Sequence, residues 1–261
     1  MLATAAFSGV KSREDSLADK TAVLPVELDR FVTLCQRRSR DREPLQYLVG
    51  EWDFHGVKIA VRAPVLFLRP PAEKIVDLAL EYANRPGKKG IKNECHLLDG
   101  GCGSGAIIIA ILSKMKKWTG VGFDIAEEAT KLSEENVERH KMTDRVKIMQ
   151  CTMDELQDER VFDMFVGCPP YVPDKDLSDL PPEVVNHQDR RAVTAGTDGM
   201  DVIREFLKHA PRVVRSGGPV FMEIYPPLAP KLEAIQVDGL EFVRCYTNLH
   251  EKSYYYEWIV L

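Results

Sequence analysis

The sequence predicts an α/β fold: a Rossmann-like, seven-stranded, mostly parallel sheet whose last strand is antiparallel. Three observations carry this. After residue 95, short apolar runs alternate with segments of helical period. The first run, Leu97-Leu98-Asp99, leads through Gly100-Gly101-Cys102-Gly103-Ser104-Gly105 into an apolar helical stretch. The last two runs are joined only by Asn248 to Ser253, too short for a parallel crossover, which needs about a dozen residues.

Each element has its own signature. Val26, Leu28, Phe31, Val32, Leu34 and Cys35 recur near a 3.6-residue period over 25–38, behind Pro25, and predict one amphipathic helix. Residues 50–63 alternate and are rich in strand formers (Trp52, Phe54, Val57, Ile59, Val61), and the His55-Gly56 step predicts a hairpin. Pro70-Pro71 opens a helix to Glu81, with Ile75, Val76, Leu78 and Leu80 inward. A loop at 85–90 precedes the alternating part. There, strands are expected at 96–99, 120–124, 146–151, 162–167, 219–224, 242–247 and 254–261. Helices are expected at 105–117, 126–140, 199–214 and 227–235. The long polar stretch 173–197 reads as a functional loop. Residues 1–20 read as flexible. The division is an N-terminal helix and hairpin region, 1–66, and a sheet domain, 67–261.

Composition bounds the function. The 261 residues suffice for one large domain, or a domain with a small appendage. A hydrophobic fraction of 44% with 29% charged residues fits a soluble globular chain. A net charge of −5 argues against non-specific nucleic-acid binding. The run Arg37-Arg38-Ser39-Arg40-Asp41-Arg42 reads as a solvated helix end or a local basic patch. Six cysteines show no C-x-x-C pair and no accompanying histidine cluster. They suggest neither a metal site nor a disulfide framework, and point to a reducing compartment. No apolar run approaches the roughly 18 residues that span a bilayer. Residues 1–10 are small and apolar, with Lys11 and Arg13 followed at once by Glu14 and Asp15. That order is wrong for a secretory signal, and the early acids fit a transit peptide poorly.

Two motifs carry chemistry. Gly101-x-Gly103-x-Gly105 sits where a strand meets its helix. Glycines there permit a tight turn and close approach of a ligand, and the helix start favours an anion. A dinucleotide fingerprint places its third glycine three residues after the second; here it comes two after. This favours S-adenosylmethionine (SAM), with its methionine carboxylate at the helix start. Asp99 closes the strand before the loop. Asp124, at the end of the next strand, can accept both hydrogen bonds of a ribose diol, or cap the following helix. Cys168-Pro169-Pro170-Tyr171 follows the apolar strand 162–167. Its prolines fix the backbone and remove two N–H groups, so nearby carbonyls can face a substrate while Tyr171 lies against a planar group. The candidate cofactor residues are Asp99, Gly101, Gly103, Gly105 and Asp124; the candidate catalytic residues are Cys168, Pro169, Pro170 and Tyr171. No metal ligands are expected.

On these motifs the chain resembles the HemK/PrmC-type release-factor glutamine methyltransferases, in particular the mitochondrial members. The matching stretches are Pro44-Leu45-Gln46-Tyr47, Gly50-Glu51-Trp52-Asp53-Phe54, Arg69-Pro70 with Glu73, the glycine loop and Phe162-Asp163. Pro169-Pro170-Tyr171, Gly196-x-Asp198-Gly199-Met200-Asp201 and Glu223 complete the set. The resemblance implies a class I SAM-dependent methyltransferase fold, SAM as cofactor and a peptide chain release factor as partner, with neither membrane nor nucleic acid. It implies methylation of the side-chain amide of the glutamine in a Gly-Gly-Gln loop. It also implies a mitochondrial location, with the cytoplasm as the alternative. Two rivals stay open: an N-methyltransferase of a nucleic-acid base or another protein, and a SAM-binding protein without turnover. The glycine spacing disfavours an NAD-dependent dehydrogenase.

The chain also departs from the family pattern. The family motif begins with Asn, whose carbonyl accepts one amide hydrogen of the substrate while the next proline's carbonyl accepts the other; here the residue is Cys168. A thiol is a weak acceptor. An unpaired donor in a closed site costs about 1–3 kcal/mol, or roughly 5- to 150-fold in rate, which predicts impaired transfer unless a neighbour or water substitutes. The family's Glu-Thr is Pro71-Ala72, and its Glu-Pro aligns with Gln188-Asp189. Asn248-Leu249-His250 replaces a late Asp-Leu…Arg pattern, and about one helix stands for the helical domain. Gly100 replaces a larger apolar residue and is expected to loosen the glycine loop.

Overall fold

The structure, a computed structural model, describes residues 25–87, 91, 93–157, 159–248 and 253–261. The stretch 1–20 read as flexible, residues 88–90 of the expected loop, and 249–252 between the last two strands lie outside the described residues. Helix α1 (Pro25–Ser39) is followed by α2 (Leu45–Val49), a hairpin of β1 (Glu51–Phe54) and β2 (Val57–Ala60), and α3 (Glu73–Ala83). The alternating part runs β3 (His96–Gly100), α4 (Ala106–Lys114), β4 (Thr119–Asp124), α5 (Glu127–Arg139), β5 (Val146–Gln150) and β6 (Met164–Gly167). It continues with α6 (Pro182–Val185), α7 (Asp201–Val213), β7 (Pro219–Ile224), α8 (Ala229–Glu233), β8 (Leu240–Asn248) and β9 (Ser253–Val260).

The seven-stranded sheet has the order β5-β4-β3-β6-β7-β9-β8. The first five strands in that order are parallel; β9 is antiparallel to both β7 and β8. Strands β6 and β7 are buried throughout, which their mainly apolar runs, interrupted only by Glu223 of β7, anticipate for a sheet covered on both faces. Alternate residues go to opposite faces. Leu97, Met164, Val166 and Phe221 pack with α3, α4 and the hairpin. Leu98, Phe165, Val220 and Met222 pack with α7 and α8.

The hairpin turns at His55 and Gly56, both at positive φ (51° and 80°), the geometry that suits a two-residue hairpin loop. The buried Asn136 of α5 accepts the Ala60 N–H at 2.8 Å and donates to the carbonyls of Ala60 and Ser104 at 3.1 and 2.9 Å, tying hairpin to glycine loop. Helix α2 is an addition to the expected elements. Five residues are too few for a helical period, but Pro44 starts the turn and Gly50, at φ 81°, ends it. Its Tyr47 is buried and donates to the Val65 carbonyl at 2.7 Å.

Several boundaries move. The helix expected to reach residue 117 stops at Lys114, where Met115 leaves helical dihedrals. Phe162, expected in β6, makes only an isolated bridge to Val214, because Asp163 turns its carboxylate onto the His96 N–H at 2.7 Å. The expected loosening at Gly100 does not occur. A Cβ at Gly100 would stand 2.7 Å from the Phe165 ring and 3.1 Å from that of Phe123, so the aromatic rings already fill the space. The basic run is a paired helix end: Arg37 bridges Glu43, and Arg38 and Arg42 both reach Glu183 of α6 at 2.9 Å.

Candidate active site

Strands β3 and β6 are neighbours, and both candidate motifs leave their C-terminal ends. This is the switch point of an open parallel sheet, where such folds bind ligands. Gly101, Gly103 and Gly105 all have positive φ, from 56° to 75°, a region costly for any side chain. Gly105 is also needed for packing, since a Cβ there would lie 2.5 Å from the Ser133 hydroxyl. A Cβ at Gly101 or Gly103 would meet neighbours only at ordinary van der Waals distance, the Phe206 ring and the Leu66 carbonyl each at 3.9 Å.

A cavity of about 750 Å³ opens over this end of the sheet. Among the sequence-predicted residues Gly101, Gly103, Asp124, Cys168 and Pro170 line it; Asp99, Gly105, Pro169 and Tyr171 do not. The wall also takes in residues that motif reading missed. Ile125 follows β4, Thr152-Met153-Asp154 follow β5, and Asp189 and Arg191 come from the long loop. The rule that ligands sit beyond the carboxyl ends of the strands was the signal for the first two groups. Asp189 and Arg191 lie in the stretch 173–197 that reads as a functional loop, and Asp189 falls in the aligned Gln188-Asp189 pair, but no motif marked either as part of the cavity wall. They reach the cavity because the Asp189 N–H bonds the Pro64 carbonyl at 2.8 Å.

The two aspartates differ in their partners. Asp124 spends one oxygen on the Gly103 N–H (3.0 Å) and the other on the Ala126 N–H (2.9 Å). It braces the glycine loop and starts α5, and each oxygen keeps a further lone pair. Burial pushes its carboxyl up, against the pull of those two N–H groups. Asp99 is completely buried. Its Oδ2 accepts the Ile108 N–H at 3.2 Å; Oδ1 has no partner among the described residues. Burial pushes its carboxyl up to about 8, and the nearby Asp124 adds to this. An orphaned buried carboxylate oxygen is costly, and it suits a cationic ligand group.

On the β6 side, Cys168 is half-buried and its Sγ lies 3.4 Å from the Glu223 carboxylate of β7. Glu223 is buried and accepts from the Ser253 hydroxyl at 3.2 Å. Burial, then the Glu223 and Asp99 carboxylates, push the Cys168 thiol well up. Tyr171 stacks on Tyr225, with ring centroids 5.7 Å apart and planes 13° off parallel. The long loop holds the Tyr171 backbone. Val172 bridges to Thr194, and a Cβ at Gly199 would come within 2.4 Å of the Tyr171 carbonyl. Gly196-x-Asp198-Gly199 is thus the brace beneath Pro-Pro-Tyr; the Asp198 carboxylate caps the Met200 N–H at 3.2 Å and pairs with Arg204 at 2.6 Å.

The family described as "Methyltransferase domain" matches residues 91–224, which hold both motifs. A release factor glutamine methyltransferase from Thermosynechococcus vestitus is 33% identical over 226 residues, covering 84% of this chain and 75% of its own length. One from Rhodopirellula baltica is 31% identical over 221 residues, covering 83% and 74%. The chain belongs to the release factor glutamine methyltransferase family. The MTRF1L release factor glutamine methyltransferase from Homo sapiens is 35% identical over 198 residues, 72% of this chain, which spans 58% of that relative's length. Among solved structures, the hMettl16 catalytic domain with an RNA hairpin superposes on 93% of this family member and 85% of its own chain, with TM-score 0.57 and 14% identity. TrmN from Thermus thermophilus covers 73% and 48%, with TM-score 0.50 and 16% identity. The fold is that of the class I SAM-dependent methyltransferases, as the sequence predicted. Among the described residues, no cluster of His, Cys, Asp and Glu could hold a metal, and no helix is long and apolar enough to cross a membrane.

Proposed function

We propose that this chain transfers a methyl group from SAM to the side-chain amide nitrogen of the glutamine in the Gly-Gly-Gln loop of a peptide chain release factor. The observation that carries this is the shared cavity. Gly101 and Gly103 of the loop after β3 and Cys168 and Pro170 of the motif after β6 line it from adjacent strand ends, in a member of this family. The residues fit SAM. The orphaned Asp99 oxygen suits its ammonium, the glycine-loop amides at the start of α4 suit its carboxylate, and the spare lone pairs of Asp124 suit its ribose. Bound there, SAM supplies an electrophilic methyl group.

The remaining work falls to the chain. An amide nitrogen is a poor nucleophile because its lone pair is delocalised, so the site must orient it and accept its N–H bonds. By the family resemblance the Pro169 carbonyl would take one of these, and Tyr171, stacked on Tyr225, would lie against the amide plane. In this reading residues 67–261 carry the transfer and residues 1–66 help bind the release factor; the resemblance to mitochondrial members extends the proposal to that compartment.

The test is transfer of labelled methyl from SAM to a release factor with Gly-Gly-Gln or Gly-Gly-Ala, with Cys168→Asn in parallel. Label confined to the glutamine substrate is expected. No label from either protein would overturn the glutamine reading.

A further inference from the structure

Cys168 stands where an acceptor for an amide N–H is required, and a thiol alone is a weak acceptor. It is not alone here. Cys168 lines the cavity, and behind it lies the buried Glu223 carboxylate, 3.4 Å from Sγ and held from its other side by Ser253. The sulfur can donate its single proton to that carboxylate. Its lone pairs are then left for the cavity, and a donor that gives its proton to a carboxylate becomes a better acceptor in turn.

We propose that Glu223 is a positioning residue: it takes the S–H of Cys168, and the sulfur so oriented accepts the second N–H of the substrate amide, in place of an asparagine carbonyl. This rests on the glutamine reading. The pair has a second effect. A thiolate beside the methyl donor would itself attack the methyl carbon as the sulfonium bond breaks, giving S-methylcysteine and S-adenosylhomocysteine. The groups facing the sulfur oppose ionisation: Glu223 from β7, Asp99 from β3 and the Tyr171 hydroxyl in its own loop are all acids, and the first two raise the thiol. Glu223 thus keeps Cys168 from competing with the substrate.

The experiment combines turnover with a readout that needs none. Cys168→Ala is expected to lower kcat roughly 10-fold or more, with the Kd for SAM unchanged. Cys168→Ser is expected to keep or exceed natural turnover, because a hydroxyl donates to Glu223 and accepts from the amide better than a thiol. In Glu223→Gln, iodoacetamide alkylation of Cys168, read by peptide mass mapping across pH, should shift its midpoint down, while burial keeps it above that of a free thiol. S-methylation of Cys168 should appear when SAM is present. Undiminished turnover in Cys168→Ala, or an unmoved alkylation midpoint in Glu223→Gln, would overturn the proposal. No label from the natural protein or from Cys168→Asn, with the midpoint shift present, would overturn the glutamine reading while upholding the grip of Glu223 on the thiol; label from Cys168→Asn alone would overturn the sulfur's role as acceptor.

Discussion

Asn136 encloses the backbone of Ala60, accepting its N–H at 2.8 Å and donating to its carbonyl at 3.1 Å, while a second donation reaches Ser104 at 2.9 Å. One side chain therefore fixes a hairpin strand against the loop proposed to hold the cofactor. Asn136→Ala leaves three buried backbone groups unpaired and is expected to cost about 2–4 kcal/mol of stability, read as a lower urea midpoint. It should also weaken SAM binding in calorimetry. A variant with natural stability would mean that water replaces the amide.

The contact between Gly100 and Phe165 leads to a steric prediction. Gly100→Ala places a methyl 2.7 Å from a ring carbon of Phe165, an overpacking expected to cost about 1–3 kcal/mol. Phe165→Leu added to it should recover part of the loss. Denaturant unfolding of the two single variants and the double checks this; additive losses would contradict the packing argument.

Asp99 sets a pH dependence whose sign can be stated. Its carboxyl titrates near 8 in the fold, against an ordinary value of 3.8. As pH rises, the unfolded chain gives up this proton first. The stability held by the neutral carboxyl is thus full below pH 4 or so, declines above it, and is lost once pH passes about 8. Asp99→Asn should flatten that decline. A SAM ammonium selects the ionised carboxylate, so binding near neutral pH should release protons. Calorimetry in two buffers of different ionisation enthalpy measures this, and Asp99→Asn should abolish most of it.

Glu183 joins the front of the chain to the long loop. Arg38 and Arg42 share its Oε1 at 2.9 Å, and its own backbone N–H, followed by the two arginines, holds its carboxyl down to about 2. Because that value is depressed, the contribution is present above the ordinary carboxylate range and lost as pH falls toward 2. Glu183→Gln should release α1, seen as faster limited proteolysis between α1 and α2. It should raise the Kd for SAM only modestly, since Asp189 keeps its separate bond to Pro64. Unchanged cleavage would show that the pairs hold nothing.

The sheet was legible because buried strands such as Met164–Gly167 and, but for Glu223, Pro219–Ile224 are apolar, and the helices between them keep their period. The glycine loop and Pro-Pro-Tyr were legible because they are contiguous. What escaped depends on residues brought together from afar. Gly100 reads as a deletion of volume until Phe165 is seen occupying it. Cys168 reads as a lost acceptor until Glu223, on another strand, is found at its sulfur. Helix α2 is one turn long and too short to show a period, and the turns within 173–197 follow contacts with Pro64 and Tyr171 that no local pattern encodes.

Beyond the end of β6, the long loop starts at Val172 and comes back upon itself at Thr194, where the two meet in an isolated bridge outside the sheet. It is therefore a ring closed at its base. Residues can be inserted or lost around its rim without shifting the tyrosine at its root. What holds the tyrosine is thus set by that closure, and what the rim touches, Pro64 through Asp189 and the front arginines through Glu183, is set apart from it.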